Sequence, residues 1–192
     1  YDNKLRITLQ LIDAELDQHL WSENIDRDLT DIISLQGIIA TQVALRIKVA
    51  IPDTELGEIE KVLTKSPEAY DNYLRGRFLL NKAADEQRID ISKEGLTGSI
   101  QYFEKAIAAD SNFAEAYACM ASAFVQIAGW GWHQSLKEGF LKAKELSIKA
   151  LEINSGSAQA HAVKGSVHIY FERNFEEGRK ELLLSLKSSP PF

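Results

Sequence analysis

The run from Phe103 to Phe124, FEKAIAADSNFAEAYACMASAF, constrains the fold more than any other stretch of the chain. It reads as the end of one amphipathic helix, a short break at Ala109–Asn112, and the start of a second helix. Small and large apolar residues recur at helical spacing on both sides of the break. A helix–turn–helix joint of this kind is the unit from which helical repeats are stacked.

The spacing of Phe103 and Ala106, followed by Ala114, Tyr117, Met120, Ala121 and Phe124, resembles the tetratricopeptide repeat. In that family the second helix carries A-x3-F-x2-A before a turn, and the next first helix carries W-x2-L-G-x2-Y. Ser111 stands where the family has proline, and Tyr117 where it has tryptophan. The resemblance implies a solenoid of helix pairs. Small residues at Gly76, Ala121 and Gly165 mark three repeats, spanning 67–112, 113–156 and 157–190. Their separation exceeds the usual period of about 34 residues. Repeats one and two therefore carry insertions, at Asn81–Gly95 and Ala128–Gly139. The first insertion suits a mobile loop or a lengthened helix end. The second places Trp130, Trp132 and His133 among glycines, which serves either to cover a helix pair or to bind a ligand.

Ahead of the repeats the pattern changes period. Leu5, Ile7, Leu9 and Leu11 alternate with Arg6, Thr8 and Gln10, the mark of a half-buried strand. After a polar turn, His19–Ile25 alternates again, so the two runs form a β-hairpin. A helix is expected next, capped by Asp28, with Ile32, Leu35, Ile39, Val43 and Ile47 on one face and Pro52 at its end. Residues 4–50 look like the C-terminal half of the TolB-N-like domain that precedes tetratricopeptide arrays in bacterial adenylate cyclases and winged-helix regulators. The clearest pieces are Gln10-Leu11-Ile12-Asp13, Leu20-Trp21, Asp26-Arg27-Asp28-Leu29 and Leu35-Gln36. The expected organisation is a hairpin and helix from an α/β domain over 1–52, a linker over 53–66, and a mainly α, tetratricopeptide-type array over 67–192. Neither end of the chain looks like a natural terminus, which suggests a segment of a longer protein.

Composition narrows the function. The 192 residues are 45% hydrophobic and 26% charged, within the globular range, and the net charge is −6. Residues 1–66 hold 7 basic and 12 acidic side chains, and 67–192 hold 15 and 16. That balance gives no footprint for a phosphate backbone, so nucleic acid is not an expected partner. Cys119 has no second cysteine to pair with and suits a small core position. No apolar run is long enough to span a membrane. A cytoplasmic location is expected, or a periplasmic one if a membrane span lies upstream.

Chemistry is sparse. There is no phosphate-binding glycine loop, no paired-cysteine metal spacing and no H-E-x-x-H. His161 and His168, seven apart on one helix, are too far apart along the axis to share a metal, and packing roles suit both. No catalytic residue, metal site or cofactor is expected in this segment, although an upstream domain such as a nucleotide cyclase is compatible with the resemblance. What remains is binding. By register, Tyr73, Arg77, Leu80 and Asn81 of repeat one, Ala118, Ser122, Val125 and Gln126 of repeat two, and Ala162, Ser166, Ile169 and Tyr170 of repeat three should face the concave groove. The resemblance implies a peptide or protein partner there. Arg77 and Asn81 are all that resembles the family's lysine–asparagine carboxylate clamp. A homodimer, and a small-molecule sensor closing the Trp130/Trp132 loop, are the alternatives.

Overall fold

A computed structural model describes residues 4–13, 17–28, 39, 43, 63–85, 89–130 and 136–188. The chain divides into two compact units, Tyr1–Val62 and Leu63–Phe192.

In the first unit, strand β1 (Lys4–Asp13) pairs antiparallel with β2 (Gln18–Asp28). The alternation expected from the sequence is present: Ile7, Leu9 and Leu11 are half-buried, and Arg6, Thr8 and Gln10 are exposed. Across the polar face the Arg6 guanidinium grips the Asp26 carboxylate at 2.6 and 2.9 Å, and the Thr8 hydroxyl donates to Asn24 at 2.7 Å. Such cross-strand pairs are the unit of sheet stabilisation. The register slips between Leu11 and Ile12, whose partners are Trp21 and His19. Leu20 is the extra residue of this bulge and is exposed. The helix expected after Asp28 and the linker before Leu63 fall largely outside the described residues.

The second unit is built from six helices: α1 (Pro67–Asp85), α2 (Ile89–Ala109), α3 (Ala114–Trp130), α4 (Leu136–Ile153), α5 (Ala158–Tyr170) and α6 (Phe175–Ser188). They pack as consecutive pairs, α1 with α2, α3 with α4 and α5 with α6, and each pair leans on the next. This is a mainly α, tetratricopeptide-type solenoid of three helix pairs.

Local chemistry sets the boundaries. Ser66 caps α1 by accepting from the Ala69 amide at 3.2 Å, and Pro67 occupies the first turn, where its missing N–H costs nothing. Ser157 and Asn174 cap α5 and α6 in the same way, at 3.4 and 3.2 Å. The turns between pairs share one device. Asp110 accepts from the Asn112 amide at 2.9 Å, and Asn154 accepts from the Gly156 amide at 3.2 Å. Each short side chain closes its own turn.

Close approach within the pairs depends on small residues. A Cβ placed on Gly76 would lie 2.6 Å from the Phe103 ring, and one on Gly178 would lie 2.5 Å from Ile169. Phe103, Ala106, Ala121 and Phe113 are fully buried, and Phe124 is half-buried, so the joint that marked the fold is also its centre.

The insertions are largely helix. The α1 helix runs on to Asp85 and α2 begins at Ile89, well before the start near Leu96 that the spacing suggests. The reason is packing: Ala83 is buried, the Ser92 hydroxyl donates to its carbonyl at 2.9 Å, and Gly95 lies against it. Likewise α3 extends to Trp130 and α4 starts at Leu136, with buried Ala128 against Gly139.

Candidate functional site: a hollow between the first helices

The helices α1, α3 and α5 enclose a hollow of about 290 Å³. Tyr73, Arg77 and Asn81 line it from α1, Ser122 and Gln126 from α3, and Gln159 from α5. Their spacing of three, four or eight residues puts each set on one helical face. Leu80, Ala84, Glu115 and Cys119 complete the wall.

Tyr73 anchors this wall. Its ring is buried among aromatic neighbours, 4.8 Å from Phe113 and 6.3 Å from Phe103 between centroids. Arg77 lies 5.7 Å above the Tyr73 ring, and its Nη1 donates to the phenol oxygen at 3.5 Å. Burial pushes the Tyr73 phenol well above its usual range and the Cys119 thiol up to about 11, so both are neutral groups in the hollow. Arg77 is the cation of the wall and Glu115 its carboxyl group. Opposed charges flanked by carboxamides can orient a polar chain of either direction, with Asn81, Gln126 and Gln159 each offering both a donor and an acceptor.

Five of the seven groove residues expected from register therefore come together: Tyr73, Arg77, Asn81, Ser122 and Gln126. Ser166 and Tyr170 are not part of this hollow. The Ser166 hydroxyl donates to the Ala162 carbonyl of its own helix at 3.0 Å, and Tyr170 lies exposed at the end of α5. Two further register assignments differ. Ala118 is buried against Ala150 and Ala160, inside the seam between repeats. Ile169 fills the space left by the missing side chain of Gly178, between α5 and α6. Glu115, Cys119 and Gln159 were not expected at the hollow. Their signal is the four-residue step from Glu115 through Cys119 to Ser122 and Gln126 along one face of α3. Trp130 ends α3, while Trp132 and His133 lie outside the described residues.

Sequence reasoning also missed a buried cluster on the far repeat. His161 is 8% exposed, and its Nδ1 lies 2.6 Å from Glu181, itself 8% exposed. The Lys164 ammonium reaches the other Glu181 oxygen at 2.7 Å, and the His161 Nε2–H donates to the Ser155 carbonyl at 3.0 Å. His161 thus does more than fill space. His168, expected beside it as a packing residue, pairs with Glu172 at 2.5 Å. Among the described residues no group of three or more histidine, cysteine or carboxylate side chains converges as metal ligands would. No helix among them is long and apolar enough to cross a membrane.

No family model matches the chain. A chain of Rhizobium meliloti (strain 1021) named "Putative adenylate cyclase 3" is 24% identical over 161 residues, which cover 83% of the present chain and 26% of that relative. The chain thus spans about a quarter of the length of the relative it matches. Among solved structures, "Second TPR of Spaghetti (RPAP3) bound to HSP90 peptide SRMEEVD" is similar with a TM-score of 0.49 and 16% identity, over 64% of this chain and 94% of that one.

Proposed function

We propose that this chain is a non-catalytic protein-interaction and regulatory segment of a bacterial multidomain signalling protein, of the adenylate cyclase or transcriptional regulator type. The observation that carries the binding role is the hollow between α1, α3 and α5, where one arginine, one glutamate and several carboxamides share a wall. Such a wall recognises the backbone and polar side chains of an extended peptide, or an exposed segment of a partner domain. The similarity to a chain named as an adenylate cyclase supports the signalling context, and any cyclase chemistry would reside in a different part of that longer protein.

In this reading residues 1–52 are the C-terminal part of a TolB-N-like domain, 53–66 connect it to the array, and the array at 67–192 receives the partner. The setting is cytoplasmic, or periplasmic where a membrane span precedes the segment.

The reading is tested with a fluorescently labelled library of extended peptides, scored by polarisation against the whole chain. Arg77→Ala and Asn81→Gln should each weaken the selected peptides tenfold or more while leaving the thermal transition in place. Peptides that bind equally well to both variants, or a library without a binder, would overturn it.

A further inference from the structure

We propose that the two ends of the helical array are complementary faces, through which one copy of the chain stacks head to tail on a second copy. The α1 helix of one copy would seat on α6 of the next.

The repeats themselves supply the template. Residues at one register position can be compared from helix pair to helix pair, since each pair packs on the next in the same way. On the first helices, Leu74, Cys119 and Val163 share a position, as do Phe78, Ala123 and Val167. The inner members are covered by the preceding repeat. Cys119 is 9% exposed beside Tyr73 and Arg77, Val163 is 4%, Ala123 is 0% and Val167 is 1%. The corresponding residues of α1 are open, Leu74 at 41% and Phe78 at 67%.

The second helices show the same relation at the other end. Leu96, Phe140 and Phe175 share a position and are 0%, 4% and 62% exposed. Phe140 is covered because Phe171 of the following repeat stacks on it at 5.6 Å. Ile107, Leu151 and Leu186 share another. Leu151 packs against a cluster that includes Ala160 of the following repeat, whereas Leu186 is 71% exposed.

So α1 presents large apolar groups where a preceding repeat would lie, and α6 presents them where a following one would lie. One chain carries both faces, and a single contact with a second copy covers both. A shallow hollow of about 350 Å³ beside Leu74 and Phe78, floored by Leu79 and Tyr102, offers a seat for a side chain such as Phe175. The contact is heterologous: the face used on one copy differs from the face used on its neighbour.

That asymmetry provides the test. Sedimentation velocity of the whole chain should show an average mass rising above the 21.5 kDa monomer as concentration increases. Phe78→Lys and Leu186→Lys should each weaken self-association tenfold or more with an unchanged far-ultraviolet dichroism spectrum, because each side chain is already open to solvent within one copy. Each variant keeps the face that the other has lost. An equimolar mixture should therefore recover association, ending at two copies. A chain that stays monomeric at every concentration overturns the proposal, and leaves these faces to a further repeat or a different partner. Variants that associate like the parent, or that fail to recover when mixed, overturn it equally.

Discussion

Nδ1 of His161 lies 2.6 Å from Oε2 of Glu181, joining α5 to α6 across a seam from which solvent is almost absent. Lys164 holds the second carboxylate oxygen at 2.7 Å, and Ser155 ties the far side of the ring to the preceding turn. A carboxylate in such a place is stabilised by partners rather than by water. Removing one partner strands the other. We predict that Glu181→Ala destabilises the array by about 2–4 kcal/mol, and His161→Ala by a similar amount. The double variant should cost less than the sum of the two. Urea unfolding of the four proteins gives the coupling directly, and simple additivity would show that the contact contributes nothing.

The same carboxylate sets an acid limit. Burial works to raise the Glu181 pKa, but Lys164 and His161 together outweigh it and hold the group below the usual carboxylate range. A pKa depressed by folding contributes stability above the unfolded-state value, and that stability is lost as pH falls through the folded-state value. Glu172, held low by Lys144 and His168 against a smaller opposing effect of burial, adds the same sign. Thermal melts should therefore decline below about pH 4.5, the unfolded glutamate range. The decline should be shallower in Glu181→Gln than in the parent. Parallel slopes would assign the acid transition to other groups.

How much of this was legible beforehand depends on the kind of information each feature carries. The hairpin and the helix pairs follow from period, because alternation and 3.6-residue spacing are local, and Gly76, Ala121 and Gly165 marked the crossings correctly. The insertions looked like loops because Gly95 and Gly139 are poor helix formers. Their missing side chains instead let Ala83 and Ala128 approach, a tertiary gain that outweighs propensity. For the hollow, register along one helix identified Arg77, Asn81 and Gln126, but Glu115 and Gln159 join it through the stacking of three helices. The bond from His161 to Glu181 crosses twenty residues and carries no periodic signal. Ile169 was assigned to the wrong face because the space it fills is defined by an absent side chain on another helix.

Cys119 illustrates how a groove residue can be chemically silent. Its thiol lines the hollow but is only 9% exposed, and burial pushes its pKa up to about 11. At pH 8 the thiolate fraction is then on the order of one in a thousand. Labelling by a disulfide reagent such as DTNB should be slow in the native chain and immediate in denaturant. A ligand seated over Tyr73 and Arg77 should slow the native reaction further. Rapid stoichiometric labelling of the folded chain would show that the wall between α1 and α3 opens far more readily than its packing implies.

Gly76 is the position at which the smallest change should have a large effect. The α1 backbone lies so close to α2 that an added Cβ would meet the Phe103 ring at 2.6 Å and its neighbouring carbon at 2.8 Å. Phe103 has no room to retreat, being fully buried and in contact with Tyr73, whose ring in turn packs on Phe113. In an exposed helix interior, replacing glycine with alanine gains up to about 1 kcal/mol from propensity. Here overpacking should reverse the sign, and we expect Gly76→Ala to destabilise by about 1–3 kcal/mol. Shrinking the ring tests the cause: in a Phe103→Leu background the same substitution should cost distinctly less. Chemical denaturation of the single and double variants measures both terms. An alanine that stabilises the parent chain would mean that α1 and α2 separate without penalty, and that the close crossing does not govern the first helix pair.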